Sequence, residues 1–148
     1  MHFFALTSAI FVAVASPVLA AFATVQNNCA EPVWITITNT TFQPVQYQIA
    51  TNGTYTQWRV GTGNAYGLSK TSAYFSTSTP KFTLGFSDSP QDSLLYWSVI
   101  NANGDPFAGE AWRISLSDPA CTPNPLTGYD GGKIHACGVA NNLTVTLC

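Results

Sequence analysis

From residue 33 onward the chain keeps returning to an alternation of apolar and polar residues with a period of two. Val33, Ile35 and Ile37 are interleaved with Trp34, Thr36 and Thr38, and Val45, Tyr47 and Ile49 with Gln46 and Gln48. The pattern recurs in Phe82, Leu84 and Phe86, in Trp112, Ile114 and Leu116, and in Leu143, Val145 and Leu147. Successive side chains of a strand point to opposite faces, so each run reads as a strand with one buried and one open face. No segment carries a comparable helical stripe. Turn-forming clusters separate the runs: Asn52-Gly53, Gly61-Thr62-Gly63-Asn64, Ser87-Asp88-Ser89-Pro90, Asn103-Gly104-Asp105-Pro106 and Gly128 to Gly132. Short strands punctuated this way predict an all-β domain, an antiparallel sandwich of two sheets.

Residues 1–20 stand apart from this pattern. An apolar run from Ile10 to Ala15, a break at Pro17 and small residues at Val18-Leu19-Ala20 read as a secretory signal peptide, too short in its apolar part to favour a membrane span. The predicted organisation is a leader over 1–20 and one domain over 21–148, a length that supports a single core. The expected product is a secreted monomer, extracellular or associated with a cell wall. Charged residues make up only 8% of the chain and the net charge is -2, which gives no electrostatic grip on a phosphate backbone, so nucleic acid is excluded as a partner class. Three glycosylation sequons begin at Asn39, Asn52 and Asn142 and would add hydration to a chain poor in charge.

The chain contains four cysteines, Cys29, Cys121, Cys137 and Cys148, which allow three pairings. The favoured scheme links Cys121 to Cys137, which are local, and Cys29 to Cys148, which would join the terminal strands; the other two schemes remain open. The segment from Cys121 to Cys137 holds Pro123, Pro125, Gly128, Gly131 and Gly132, so it gains its order from a covalent clip instead of a regular element. By loop-closure entropy the short link contributes about 3 kcal/mol and the long one about 5 kcal/mol. An exported chain without CxxC spacing favours disulfides over a metal site, and no metal or cofactor is expected.

Catalytic constellations are hard to assemble from these residues. Past the leader His135 is the sole histidine, and no GxSxG elbow offers a nucleophile. Gly61-Thr62-Gly63 does not continue into a phosphate-binding loop. Glycoside hydrolysis needs two opposed carboxyls, and most of the seven acids sit in turns: Glu31, Asp88, Asp92, Asp118 and Asp130. Asp105 and Glu110 form the best pair, because Asp105-Pro106-Phe107-Ala108-Gly109-Glu110 is compact enough to present both, although an Asp in Gly-Asp-Pro most often caps its own turn.

The stretch Ala23-Thr24-Val25-Gln26-Asn27-Asn28-Cys29-Ala30-Glu31-Pro32-Val33-Trp34 resembles the opening strand pair of thaumatin-like proteins. Gly53-Thr54-Tyr55, Gly104 to Gly109, Cys121, Cys137 and the terminal Leu143-Thr144-Val145-Thr146-Leu147-Cys148 more closely resemble the small fungal Bys-type secreted proteins, cysteine-poor relatives of thaumatin. The likeness spans nearly all of 21–148 and is weakest from Trp58 to Lys81. It implies a thaumatin-like β-sandwich whose first cysteine bonds to its last. Larger thaumatin-like proteins often bind β-1,3-glucans, and some hydrolyse them weakly through an acidic cleft. Here Trp97 and Asn103 stand where that cleft's carboxylates are expected, and Asp105 is the sole nearby acid; the resemblance does not by itself settle an activity, but it does not supply two opposed acids.

Aromatic residues, 13% of the chain, supply a means of recognition without charge, since sugars stack their C–H faces on flat rings. Alternation places Trp34 on the open face of its strand, puts Tyr96 and Trp97 on opposite faces, and sends Trp112 to the core. Expected ligand contacts are Trp34, Tyr96, Asp105, Glu110 and Tyr129, with no catalytic residue. The leading functional expectation is a noncatalytic binder of cell-wall or host polysaccharide of the β-glucan type. The alternatives are a structural antigen or effector that contacts a cell-surface protein, and a weak β-1,3-glucanase.

Overall fold

A computed structural model describes residues 21–41 and 43–148; the expected leader lies outside the described residues. The strands in chain order are β1 (Phe22–Asn27), β2 (Val33–Thr38), β3 (Val45–Ile49), β4 (Thr54–Trp58), β5 (Asn64–Ser69), β6 (Lys81–Ser89), β7 (Leu94–Ala102), β8 (Trp112–Leu116), β9 (Leu126–Thr127), β10 (His135–Gly138) and β11 (Leu143–Leu147). They form two sheets with the orders β4-β1-β11-β8-β9, here sheet A, and β10-β7-β6-β5-β2-β3, here sheet B. All pairings are antiparallel except β1 with β11, where the terminal strands run parallel in the middle of sheet A. Among the described residues no helix is long and apolar enough to cross a membrane.

The alternation dictates which face each strand buries. Val33, Ile35 and Ile37 of β2, Phe82, Leu84 and Phe86 of β6, and Leu95, Trp97 and Val99 of β7 turn inward from sheet B. Ala23 and Val25 of β1, Trp112 and Ile114 of β8, and Leu143, Val145 and Leu147 of β11 meet them from sheet A. Burying each large side chain contributes about 1.5–3 kcal/mol, so the inner layer is the main source of stability. Phe107 closes one end, its ring 6.1 Å from Phe82, which in turn stands edge-on to Trp112 at 4.9 Å.

Covalent and polar ties fix the margins. Cys29 is bonded to Cys148 and Cys121 to Cys137, with Cα atoms 4.9 and 5.7 Å apart. Asn27, fully buried beside the first bond, shares its amide N–H groups among the carbonyls of Glu31, Ile49 and Ala50 and accepts from the Cys29 N–H. That set of bonds gives the Asn-x-Cys motif its physical basis. The second disulfide ties the link between β8 and β9, on the edge side of sheet A, to β10, at the edge of sheet B. On the same flank, Arg59 pairs with Asp88 and donates to the carbonyls of Val139 and Asn141 at 2.6 and 2.8 Å. Asp88 therefore belongs to β6 and to a buried ion pair, where the sequence reads as a solvated turn. Burial pushes its carboxyl up, against the pull of Arg59.

Candidate functional site

The outer face of sheet B is where the structure assembles rings, hydroxyls and a groove. Its residues follow from the registers: Trp34 and Thr36 on β2, Gln46 and Gln48 on β3, Ala65, Gly67 and Ser69 on β5, Lys81, Thr83, Gly85 and Ser87 on β6, and Tyr96, Ser98 and Ile100 on β7. Strand alternation exposes this set because the opposite set fills the core. Apart from Lys81 the set is uncharged and rich in hydroxyl and amide groups, suited to the hydroxyls of a neutral ligand.

Gly67 accounts for the centre of this face. Residues 70–80 fold back across β5, and the Tyr74 ring rests on Gly67, so closely that a Cβ there would fall within the ring. The Tyr74 hydroxyl pairs with Thr83 Oγ1 at 2.9 Å, and Lys81 Nζ stands 5.2 Å from the ring centroid. The same segment accepts the Ser69 hydroxyl through the Thr71 carbonyl at 2.7 Å, and Ser69 and Thr36 are buried although they lie on the outer face. Trp34, paired in register with Ser69, remains half-buried.

Beyond Tyr74 the face opens into a groove of about 330 Å³. Gly85, Ser87 and Ser98 form its floor, half-buried Tyr96 and exposed Ile134 one wall, and Gly63 and Asn64 the other. The volume lies in the range of small-ligand sites. Strand spacing and register put Trp34 and Tyr96 roughly 25 Å apart along a diagonal, three strand spacings across. Tyr74 lies between them, near that line. Three rings thus follow one diagonal of a single face. Tyr74 escaped sequence analysis because it sits in a Ser/Thr-rich loop without periodicity; the available signal was Gly67, an isolated glycine within a strand, which marks close approach of another group.

The remaining expected contacts lie elsewhere. Asp105 accepts from the Phe107 N–H at 2.9 Å and so shapes the turn that delivers Phe107 to the core. Glu110 pairs with Lys70 at 2.8 Å and borders a hollow of about 460 Å³ on the outer side of sheet A, together with Arg113, Thr127, Thr146 and Cys148. Its carboxylate also lies 3.2 Å from the Cys148 sulfur, a contact and not a hydrogen bond because a disulfide sulfur carries no proton. That hollow offers ionic groups but no open ring, since the bordering Trp112 is buried. Tyr129 is exposed in the clipped loop and does not line it. Asp105 does not border either cavity, so the two acids are not brought to one groove.

His135, Asp130, Asp92 and Asp118 are engaged in local structure. His135 Nε2 and Asp130 Oδ2 are 2.6 Å apart, and the His135 ring packs on Trp97 with centroids 4.5 Å apart. Burial alone would raise the Asp130 carboxyl, but the hydrogen bond and charge of His135, joined by the Lys133 and Gly132 N–H groups, hold it below its usual range. Asp92 accepts from Ser89, and Asp118 caps the Ala120 N–H. Two groups of ligand atoms lie close enough for a cation, Cys29 with Glu110 and Cys148, and Asp118 with Cys121 and Cys137. In both the sulfurs are disulfide-bonded, so neither offers the thiolates a metal requires.

Comparison with known proteins agrees with this architecture. The crystal structure of the protein elicitor MoHrip2 from Magnaporthe oryzae superposes with a TM-score of 0.72 at 22% identity, covering 87% of this chain and 99% of the elicitor. The thaumatin-like xylanase inhibitor TLXI superposes with a TM-score of 0.61 at 12% identity, covering 85% of this chain and 98% of the inhibitor. The fold is therefore the thaumatin-like β-sandwich. No curated protein matches the chain. The family described as Bys1, Blastomyces yeast-phase-specific protein, matches residues 10–148. The chain belongs to the Bys1 family.

Proposed function

We propose that this protein is exported and binds a neutral polysaccharide of the β-glucan type, without catalysis, on the outer face of sheet B. The observation that carries this reading is the diagonal of Trp34, Tyr74 and Tyr96 beside an open groove floored by Gly85 and Ser98. A glycan chain laid along it meets aromatic faces for its C–H surfaces and Ser, Thr and Gln groups for its hydroxyls, with no charge to desolvate except Lys81. Export is supported by the leader pattern over residues 1–20 and by two disulfides, which persist in oxidising compartments. The noncatalytic reading is supported by the engagement of Asp105 in a turn and of Glu110 with Lys70.

Sedimentation with insoluble β-1,3-glucan and with chitin tests this directly. The wild type is expected to co-sediment with the glucan, and Tyr96→Ala and Trp34→Ala to weaken it. Absence of wild-type binding to either polymer would overturn the proposal and favour the reading as an effector that contacts another protein. Exposed Ile134, which lines the groove with Tyr96, and exposed Ile100, further along β7, would then be the residues to test first. Release of reducing sugar from a soluble β-1,3-glucan, lost in Asp105→Asn, would instead identify a glucanase.

A further inference from the structure

Next to the sheet B groove, with which it shares Asn64 and Phe86, a second hollow leaves apolar surface uncovered. Trp58 and Val60 are 55% and 68% exposed, although both are large hydrophobic residues. They wall a hollow of about 80 Å³ floored by Ile37 and Phe86 and rimmed by Asn39 and Gln57. The Trp58 indole is held from one side by Phe22, with ring centroids 4.2 Å apart. Its orientation is thus set while much of its area faces water, a combination that marks a surface meant to be covered.

The rim residue Asn39 opens a glycosylation sequon, Asn39-Thr40-Thr41. Its side-chain oxygen accepts both the Thr41 N–H, at 2.8 Å, and the Thr41 hydroxyl, at 3.0 Å, in an Asx turn at the end of β2. Thr40 and Thr41 are exposed. The other sequons offer less. Asn52 lies in the β3–β4 turn at φ 59°, and Asn142 Oδ1 accepts the Phe22 N–H at 2.9 Å; neither borders the hollow.

We propose that Asn39 carries an N-linked glycan whose first N-acetylglucosamine stacks on Trp58 and closes this hollow. In its attachment a lipid pyrophosphate-linked oligosaccharide is the donor: the sugar C1–O bond to pyrophosphate breaks, the C1–Nδ2 bond to Asn39 forms, one amide proton is lost and the lipid pyrophosphate leaves. The geometry selects the occupant: a sugar tethered at the rim has one apolar face for the indole, while Gln57 at the same rim offers an amide to its polar groups. The inference rests on the export reading above, because attachment of this kind takes place on exported chains.

The test is secretion of the full chain from a glycosylating yeast, followed by site-resolved mass spectrometry and acrylamide quenching of tryptophan fluorescence. Trp97 and Trp112 are buried and Trp34 is half-buried, so quenching reports chiefly on Trp58. Asn39 is expected to be occupied. Trimming to a single N-acetylglucosamine should leave quenching low, whereas complete enzymatic deglycosylation, Asn39→Gln or Thr41→Ala should each raise it about twofold as the indole is uncovered. Thr41→Ala and deglycosylation of the folded protein keep the test decisive should Asn39→Gln fail to fold. A bare Asn39 on exported protein, unchanged quenching after full deglycosylation, or a response to Asn142→Gln in place of Asn39→Gln would overturn the inference. Retention in the cell with residues 1–20 still attached would overturn both it and the export reading.

Discussion

Replacing Arg59 by methionine is expected to be among the most damaging single changes outside the apolar core. The Arg59 side chain has 0% exposure and its partner Asp88 only 11%, so neither charge is compensated by water. Arg59 follows β4 of sheet A, Asp88 lies on β6 of sheet B, and the same guanidinium holds the Val139 and Asn141 carbonyls. Methionine keeps most of the volume but strands the carboxylate and both carbonyls. Breaking a buried ion pair from one side costs about 3–5 kcal/mol, a large share of the stability of a domain of this size. Adding Asp88→Asn removes the stranded charge and leaves the unpaired carbonyls, at about 1–3 kcal/mol. The sign of Asp88→Asn should therefore reverse: destabilising in the wild type, stabilising by about 2 kcal/mol in the Arg59→Met background. Urea unfolding of the four proteins, read as midpoint shifts at constant slope, measures each term. A loss below about 1 kcal/mol for Arg59→Met, or destabilisation by Asp88→Asn in both backgrounds, would refute the reasoning.

Three further outcomes follow from the same contacts. Gly67→Val forces the Tyr74 ring off β5 and should cost about 1–3 kcal/mol while making residues 70–80 sensitive to limited proteolysis, which thermal melts and peptide mapping would show. Replacing Cys29 and Cys148 together by alanine should cost about 5 kcal/mol, and replacing Cys121 and Cys137 about 3 kcal/mol, because the loops closed differ in length; urea unfolding in which the second pair costs more would contradict this order. Asp130 has a folded-state pKa held below its unfolded value, so its contribution is present above the unfolded pKa and is lost as pH falls through the folded one. Asp130→Asn should accordingly lower the melting temperature at pH 7, with the gap to wild type closing as the solution is acidified through and below the ordinary carboxylate range.

Strands with one wet face were legible from the sequence alone. The alternating runs at Val33, Phe82, Trp112 and Leu143 became β2, β6, β8 and β11, and the pairing of Cys29 with Cys148 and Cys121 with Cys137 is present; the run at Val45 became β3, but at the sheet edge its Val45 and Tyr47 stay exposed and only Ile49 is buried. β5 was not legible, because its outward Ala65, Gly67 and Ser69 are small and Gly67 and Ser69 lie beneath the 70–80 segment, so a strand largely covered on both faces loses its alternation. β4, at the edge of sheet A, is mostly exposed and carries no apolar stripe to betray it. The end of β6 was hidden for a different reason: Ser87-Asp88-Ser89-Pro90 has turn composition, and pairing with β7 together with the distant Arg59 makes a strand of its first three residues. For the candidate site, Trp34 and Tyr96 could be placed on open faces by parity, but their common face and the intervening Tyr74 depend on sheet order. Asp105 and Glu110 are five positions apart in sequence, and no local pattern shows that one caps a turn while the other reaches Lys70.

The central claim is that the outer face of sheet B is a glycan-binding surface. Titration of isotope-labelled protein with a soluble β-1,3-linked glucan oligosaccharide, followed by amide NMR, tests it most directly. The largest shifts are expected at Gly85, Ser87, Tyr96 and Ser98, extending toward Tyr74 and Trp34, with Thr24 and Thr144 of sheet A unmoved. Shifts confined to the Glu110, Arg113 and Thr127 hollow, or none at saturating oligosaccharide, would contradict it.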